Sequence, residues 1–131
     1  MTDTETDPAA NRGYHAHIYY DAATRPLAER LCRELGRQFP VAFGGFRDGP
    51  VGPHPIANAQ VIFTPAQFGS LVPWLMLNRQ GLDVLVHPLT DDSVADHSRY
   101  ALWLGTPVPL KLDALRRNYR AELLPAEART A

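Results

Sequence analysis

The sequence has a single cysteine, Cys32, so no intrachain disulfide can form and packing alone must hold the fold. One unpaired thiol suits a reducing compartment, and a cytoplasmic location is expected. Basic charge is not in excess: 13 Lys+Arg stand against 14 Asp+Glu. Nothing there would draw a phosphate backbone, so no nucleic-acid partner is expected. No apolar run approaches the roughly 18 residues of a membrane span, so no membrane role is expected. The opening MTDTETDPAANR is polar and acidic, without the apolar core of a secretory signal. Repeats and low-complexity blocks are also missing. With 131 residues, 45% of them hydrophobic and 21% charged, the chain has the balance of one globular domain.

What is present is a succession of short, clearly punctuated elements. Residues 1–12 lack apolar periodicity and read as a mobile tail. YHAHIYY (14–20) is aromatic and β-branched, and reads as a strand. Thr24 and Pro26 then open a helix whose stripe is Leu27, Leu31, Leu35 and Phe39, with Cys32 beside it; Pro40 ends it. Residues 41–46 read as a second strand. RDGPVGPHP (47–55) is too rich in proline and glycine for an interior strand and reads as a loop. NAQVIFT (58–64) is a third strand. Thr64-Pro65 begins a second helix with Phe68, Leu71, Val72, Leu75 and Met76 as its stripe; Pro73 should kink or restart it. Gly81 suits a left-handed helix end, and LDVLVHPL (82–89) is a fourth strand. The domain should end near residue 112, with 113–131 a C-terminal helix or tail.

Strand, helix, strand, strand, helix, strand is the ferredoxin-like βαββαβ order of an α+β protein. It predicts a four-stranded antiparallel sheet, in spatial order 4-1-3-2, with both helices on one face. The other face must be covered by the C-terminal segment, a second subunit or a ligand.

The five histidines acquire meaning on that sheet. If Ala16, Ile18 and Tyr20 pack under the helices, alternation sends His15, His17 and Tyr19 to the open face. In the fourth strand Val84 and Val86 pack, and Asp83, Leu85 and His87 face outward. Strands one and four are antiparallel neighbours, so the start of one meets the end of the other. His15, His17 and His87 therefore converge. Residues i and i+2 of a strand lie roughly 6–7 Å apart, and two imidazoles at that spacing can close on one ion. The loop carrying His54 is expected to make a tight turn. It leaves from the far end of strand one, so His54 would have to reach back to replace His15 as a ligand. His97 reads as a residue ending a helical turn, Asp83 as an exposed strand-end charge, and Trp74 and Trp103 as packing residues.

Four segments, YHAHIYYD (14–21), VGPHP (51–55), LDVLVHPLT (82–90) and DHSRYALWLG (96–105), resemble the signatures of the small DOPA 4,5-dioxygenase family of fungi and bacteria. The resemblance runs over about residues 13–112 and takes in every histidine in order. It implies a ferredoxin-like fold, a homodimer, and O2-dependent opening of a catechol such as DOPA. The ring would be cut beside, not between, its two hydroxyls. Such chemistry needs Fe(II) with open positions for catecholate and O2, plus a base and an acid. His15, His17 and His87 are then the expected metal set, with Zn(II) or Ni(II) able to substitute. His54 and His97 become acid–base or substrate-orienting groups, Tyr19 a hydrogen-bonding wall, and Arg99 a candidate partner for a substrate carboxylate. The alternative is a dimeric ferredoxin-like module that binds a metal or an aromatic ligand without turnover.

Overall fold

A computed structural model describes residues 5–115 of the chain. β1 (Tyr14–Tyr19) leads into α1 (Arg25–Gln38), β2 (Ala42–Arg47) and β3 (Asn58–Phe63). A short 3-10 turn then precedes α2 (Phe68–Asn78), β4 (Val84–Pro88), the one-turn α3 (Ser93–Asp96) and β5 (Leu102–Leu104). All strand pairings are antiparallel, in the order β2-β3-β1-β4-β5.

The α+β class and the 4-1-3-2 core are as expected, but the sheet has five strands rather than four. The addition is LWL at 102–104, which pairs Leu104, Trp103 and Leu102 with Val84, Leu85 and Val86. Three residues are too few to show a period. Their strand conformation follows from the unpaired N–H and C=O groups that β4 would otherwise leave at the edge.

Alternation assigns the two faces. Ala16, Ile18 and Tyr20, with Ala59, Val61, Phe63, Val84 and Val86, pack under Leu31, Leu35, Leu71 and Leu75 of the two long helices. Cys32 belongs to this core, and burial pushes its thiol up to about 11, leaving it an inert apolar side chain. The second helix narrows one expectation and departs from another. It does not restart at Pro73, which lies inside a continuous α2, so of the two expected outcomes the restart is excluded. Its expected core residue Met76 is 57% exposed, as Leu71 and Leu75 already fill the contact. Thr24 does not cap α1 with its side chain. Its hydroxyl instead accepts from the Asp21 N–H at 2.9 Å. At the end of α2 both Gln80 and Gly81 adopt positive φ, 57° and 78°.

The face opposite the helices is covered from within the described residues. The loop after β2 folds back over it, and α3 with its flanking turns covers the β4 side. The segment after β5 reaches the same layer, where Lys111 N–H donates to the Pro53 carbonyl at 2.9 Å. Of the segment read as a tail, residues 8–10 form a 3-10 turn, and Asn11 and Arg12 bond to Leu89. The segment 113–131, expected as a C-terminal helix or tail, lies largely outside the described residues. Leu112–Ala114 form a 3-10 turn. Among the described residues, no helix is long and apolar enough to cross a membrane.

Candidate metal centre

The antiparallel register of β1 and β4 sets His15 directly opposite His87. Their ring centroids are 5.2 Å apart, and His17 lies 5.8 Å from His15 and 5.2 Å from His87. The three share one face of the sheet, as alternation requires. The other two histidines join them from the covering loops. His54 stacks 4.0 Å from His17, and His97 lies 4.0 Å from His87. All five imidazoles thus meet in one cluster. Within it, His15, His17 and His87 form one group that could hold a metal ion, and His17, His54 and His97 form another.

His54 reaches back after all, because its turn is tight rather than in spite of it. Val51 and His54 exchange backbone hydrogen bonds of 2.9 and 3.0 Å around Gly52, whose φ is +53°. That reversal aims the imidazole down at the sheet, where Tyr19 Oη lies 2.7 Å from its Nδ1. His97 does end a helical turn, as read from sequence, and also presents its ring to the cluster. The buried Asp96 fixes that turn by accepting from the Thr90 N–H and hydroxyl, at 3.0 and 2.6 Å.

Backbone and amide oxygens decide where the imidazole protons sit. His87 Nδ1–H donates to the Pro88 carbonyl at 2.8 Å, and His97 Nδ1–H donates to the Ser93 carbonyl at 2.8 Å. His17 Nδ1–H donates to Asn58 Oδ1 at 3.0 Å, and the Asn58 amide nitrogen donates in turn to the Ile56 carbonyl. Each of these rings therefore keeps a bare lone pair on Nε2. Two of those lone pairs, on His17 and His87, face each other at 3.2 Å.

Two acceptors that close are repulsive unless a cation lies between them. A proton is disfavoured there, because burial holds both rings well below the ordinary imidazole range, reinforced by neighbouring histidines. A divalent metal ion fits instead. Nitrogens bound to one ion at about 2.1 Å lie about 3.0 Å apart at a right-angled bite and about 3.4 Å apart at a tetrahedral one. His15 is held differently: Gln60 Nε2 donates to its Nδ1 at 3.0 Å, so a turn of that amide is needed to free Nε2 of its proton.

Electrostatics keep the cluster neutral. Burial first, then the charge of His97, lowers His15 to about 4. Burial, then His97 and His15, lowers His54 to about 4. Burial lowers His97 too, opposed by its bond to the Ser93 carbonyl. Burial raises the Tyr19 phenol, which stays protonated. Neutral imidazoles are the form that binds metal.

Asn58 and Gln60 were not singled out from the sequence. The signal was available: in NAQVIF they are the polar residues at alternate positions of β3, on the face shared with His17. Gln60 crosses over Gly44, where a Cβ would lie 1.7 Å from its amide oxygen. Trp103 stacks on Tyr19 at 5.9 Å and walls this side, whereas Trp74 packs against Phe39. Asp83 accepts from the Thr106 N–H at 2.8 Å and belongs to neither histidine group. The Arg99 guanidinium lies 5.0 Å over the Tyr100 ring. Beside the histidines opens a cavity of about 240 Å³, lined among others by His17, His54, Asn58, Gln60, Gly44 and Arg47.

Residues 14–114 match the model of the Dopa 4,5-dioxygenase family. The chain is 32% identical over 108 residues to a DOPA 4,5-dioxygenase of Amanita muscaria, covering 76% of this chain but 47% of that protein. It is 36% identical over 123 residues to an uncharacterized 21.2 kDa protein of Botryotinia fuckeliana, covering 85% of this chain and 67% of that one. The chain thus spans about half to two thirds of these relatives' lengths. Among solved structures, a candidate dioxygenase from Nostoc punctiforme is 50% identical and superposes with a TM-score of 0.82, over 84% of this chain and 96% of that one.

Proposed function

The chain belongs to the Dopa 4,5-dioxygenase family, and on that premise we propose that it is an iron-dependent extradiol dioxygenase opening a catechol such as DOPA. The observation that carries this reading is the pair of bare Nε2 atoms of His17 and His87, 3.2 Å apart, with His17 also lining a cavity. His15, His17 and His87 are the proposed ligands. Fe(II), when bound, would supply open positions for a catecholate and O2 and a path by which electrons from the ring reach oxygen. Both atoms of O2 enter the product, so the reaction needs no external reductant.

The chain's own residues then have distinct tasks. His97 offers Nε2 as a proton acceptor, because its Nδ1–H is committed to the Ser93 carbonyl. It can take a catechol proton, and the same carbonyl steadies the resulting imidazolium. His54 can exchange tautomers against the Tyr19 hydroxyl, which donates to Nδ1 or accepts from it. It therefore delivers or receives a proton at Nε2 without a full charge being buried at rest. Three neutral imidazoles leave the centre more positive than a two-histidine, one-carboxylate set does, and a dianionic catecholate offsets that charge.

The test is reconstitution with Fe(II) without air, then addition of DOPA and 18O2. A yellow ring-opened product carrying both labelled atoms is expected. Stoichiometric iron with no product from DOPA or simple catechols refutes the reading. Asn58 gives a second check. Its amide holds the His17 ring and tautomer, so Asn58→Ala should weaken Zn(II) binding by about 10- to 100-fold in chelator competition. Unchanged affinity would remove Asn58 from the support of the site.

A further inference from the structure

The cavity beside the histidines contains a charge that the reaction itself does not use. Arg47 ends β2 and pairs in register with Asn58. The preceding residue, Phe46, packs toward the helices, so alternation sends Arg47 to the histidine face. It joins His17, His54, Asn58 and Gln60 in lining the cavity. Arg47 is the one formally charged residue in that lining, and no carboxylate joins it. Its acidic neighbour is occupied: Asp48 Oδ1 accepts from Arg25 Nε at 2.8 Å and from the Tyr20 hydroxyl at 2.7 Å. Among the described residues the Arg47 guanidinium has neither an ion pair nor a hydrogen bond, while the Tyr20 hydroxyl anchors its backbone carbonyl at 3.1 Å.

An unpaired guanidinium beside a cavity with no acid is a receptor for an anion carried by the ligand. Its forked N–H groups match a carboxylate in particular. Resting on the reading that a catechol binds at the histidines, we propose that Arg47 is the specificity-determining residue. It pairs with a carboxylate on the ring's side chain and so selects carboxylated catechols over neutral ones. Arg99, the arginine considered from sequence, does not line this cavity.

The experiment compares equilibrium binding of 3,4-dihydroxyphenylacetate and 4-methylcatechol to the full chain, without air, by calorimetry. It is run with and without Zn(II), so that a failed metal site does not mask the guanidinium. Arg47 is solvent-exposed, so wild type should bind the carboxylated ring about 5- to 10-fold more tightly, as expected for a forked but solvent-screened pair. Arg47→Met should bring the ratio near unity, Arg47→Lys should give an intermediate ratio, and Arg99→Met should keep the wild-type ratio. Equal binding of the two rings by wild type, no binding of either, or an unchanged ratio in Arg47→Met overturns the proposal. Turnover, measured separately after iron loading, decides the dioxygenase reading. Selective binding without turnover would retain Arg47's role and reject that reading.

Discussion

His17→Ala is expected to abolish both iron retention and ring cleavage. His17 is the residue shared by the two histidine groups, so its loss leaves neither with three ligands. It also leaves His87 Nε2 without the neighbour at 3.2 Å that makes a bite for one ion. The loss of affinity should exceed the roughly 10- to 100-fold of an outer-sphere change, and activity should fall to background. The fold should survive, because the His17 side chain lies on the face away from the helix-packed core. Iron content after desalting and a thermal melt read the two separately. A folded variant that keeps one iron per chain would remove His17 from the ligand set. In the same assay His15→Ala should lose iron and His54→Ala should keep it; the reverse result would replace His15 in the ligand set.

The metal-free protein should lose stability steeply as pH falls from 6.5 to 4. An unfolded histidine titrates near 6.5, whereas His15 and His54 in the folded chain are lowered to about 4, chiefly by burial. Below pH 6.5 the unfolded chain takes up protons that the folded one refuses, so unfolding gains. Above pH 6.5 this contribution is fully present, and it is exhausted once the pH has passed the folded values. A depression of that size corresponds to about 3 kcal/mol per group before coupling is considered. His17 and His87, also held well below the ordinary imidazole range by burial, act in the same direction. Thermal melts of chelator-treated protein across this range should show the decline, and His54→Gln should flatten part of it. A melting temperature constant within about 2 °C between pH 7 and 4.5 would contradict the buried neutral cluster.

Much of the fold was readable because its elements follow simple periods. The Leu27, Leu31, Leu35 and Phe39 spacing marks α1, and two-residue alternation in β1 and β4 sends the helix-facing and histidine-facing residues to the correct sides. The fifth strand was not readable, since LWL adopts its conformation from the open edge of β4 and not from any pattern of its own. Met76 was misjudged for a related reason. Periodicity proposes an apolar stripe, but the width of the sheet beneath decides how much of it is covered.

The site divides along the same line. The sequence by itself determined that His15, His17 and His87 share one face, because strand alternation and antiparallel pairing leave a side chain no other choice. Only the tertiary structure decided that His54 and His97 complete the cluster, since loops have no period from which a direction can be read. It also settled which nitrogen of the His17, His87 and His97 rings is free. That depends on the Pro88 and Ser93 carbonyls and the Asn58 amide, brought within hydrogen-bond reach by turns and by a neighbouring strand. Proton positions follow local partners within about 3 Å, and a linear sequence does not specify which partners those will be.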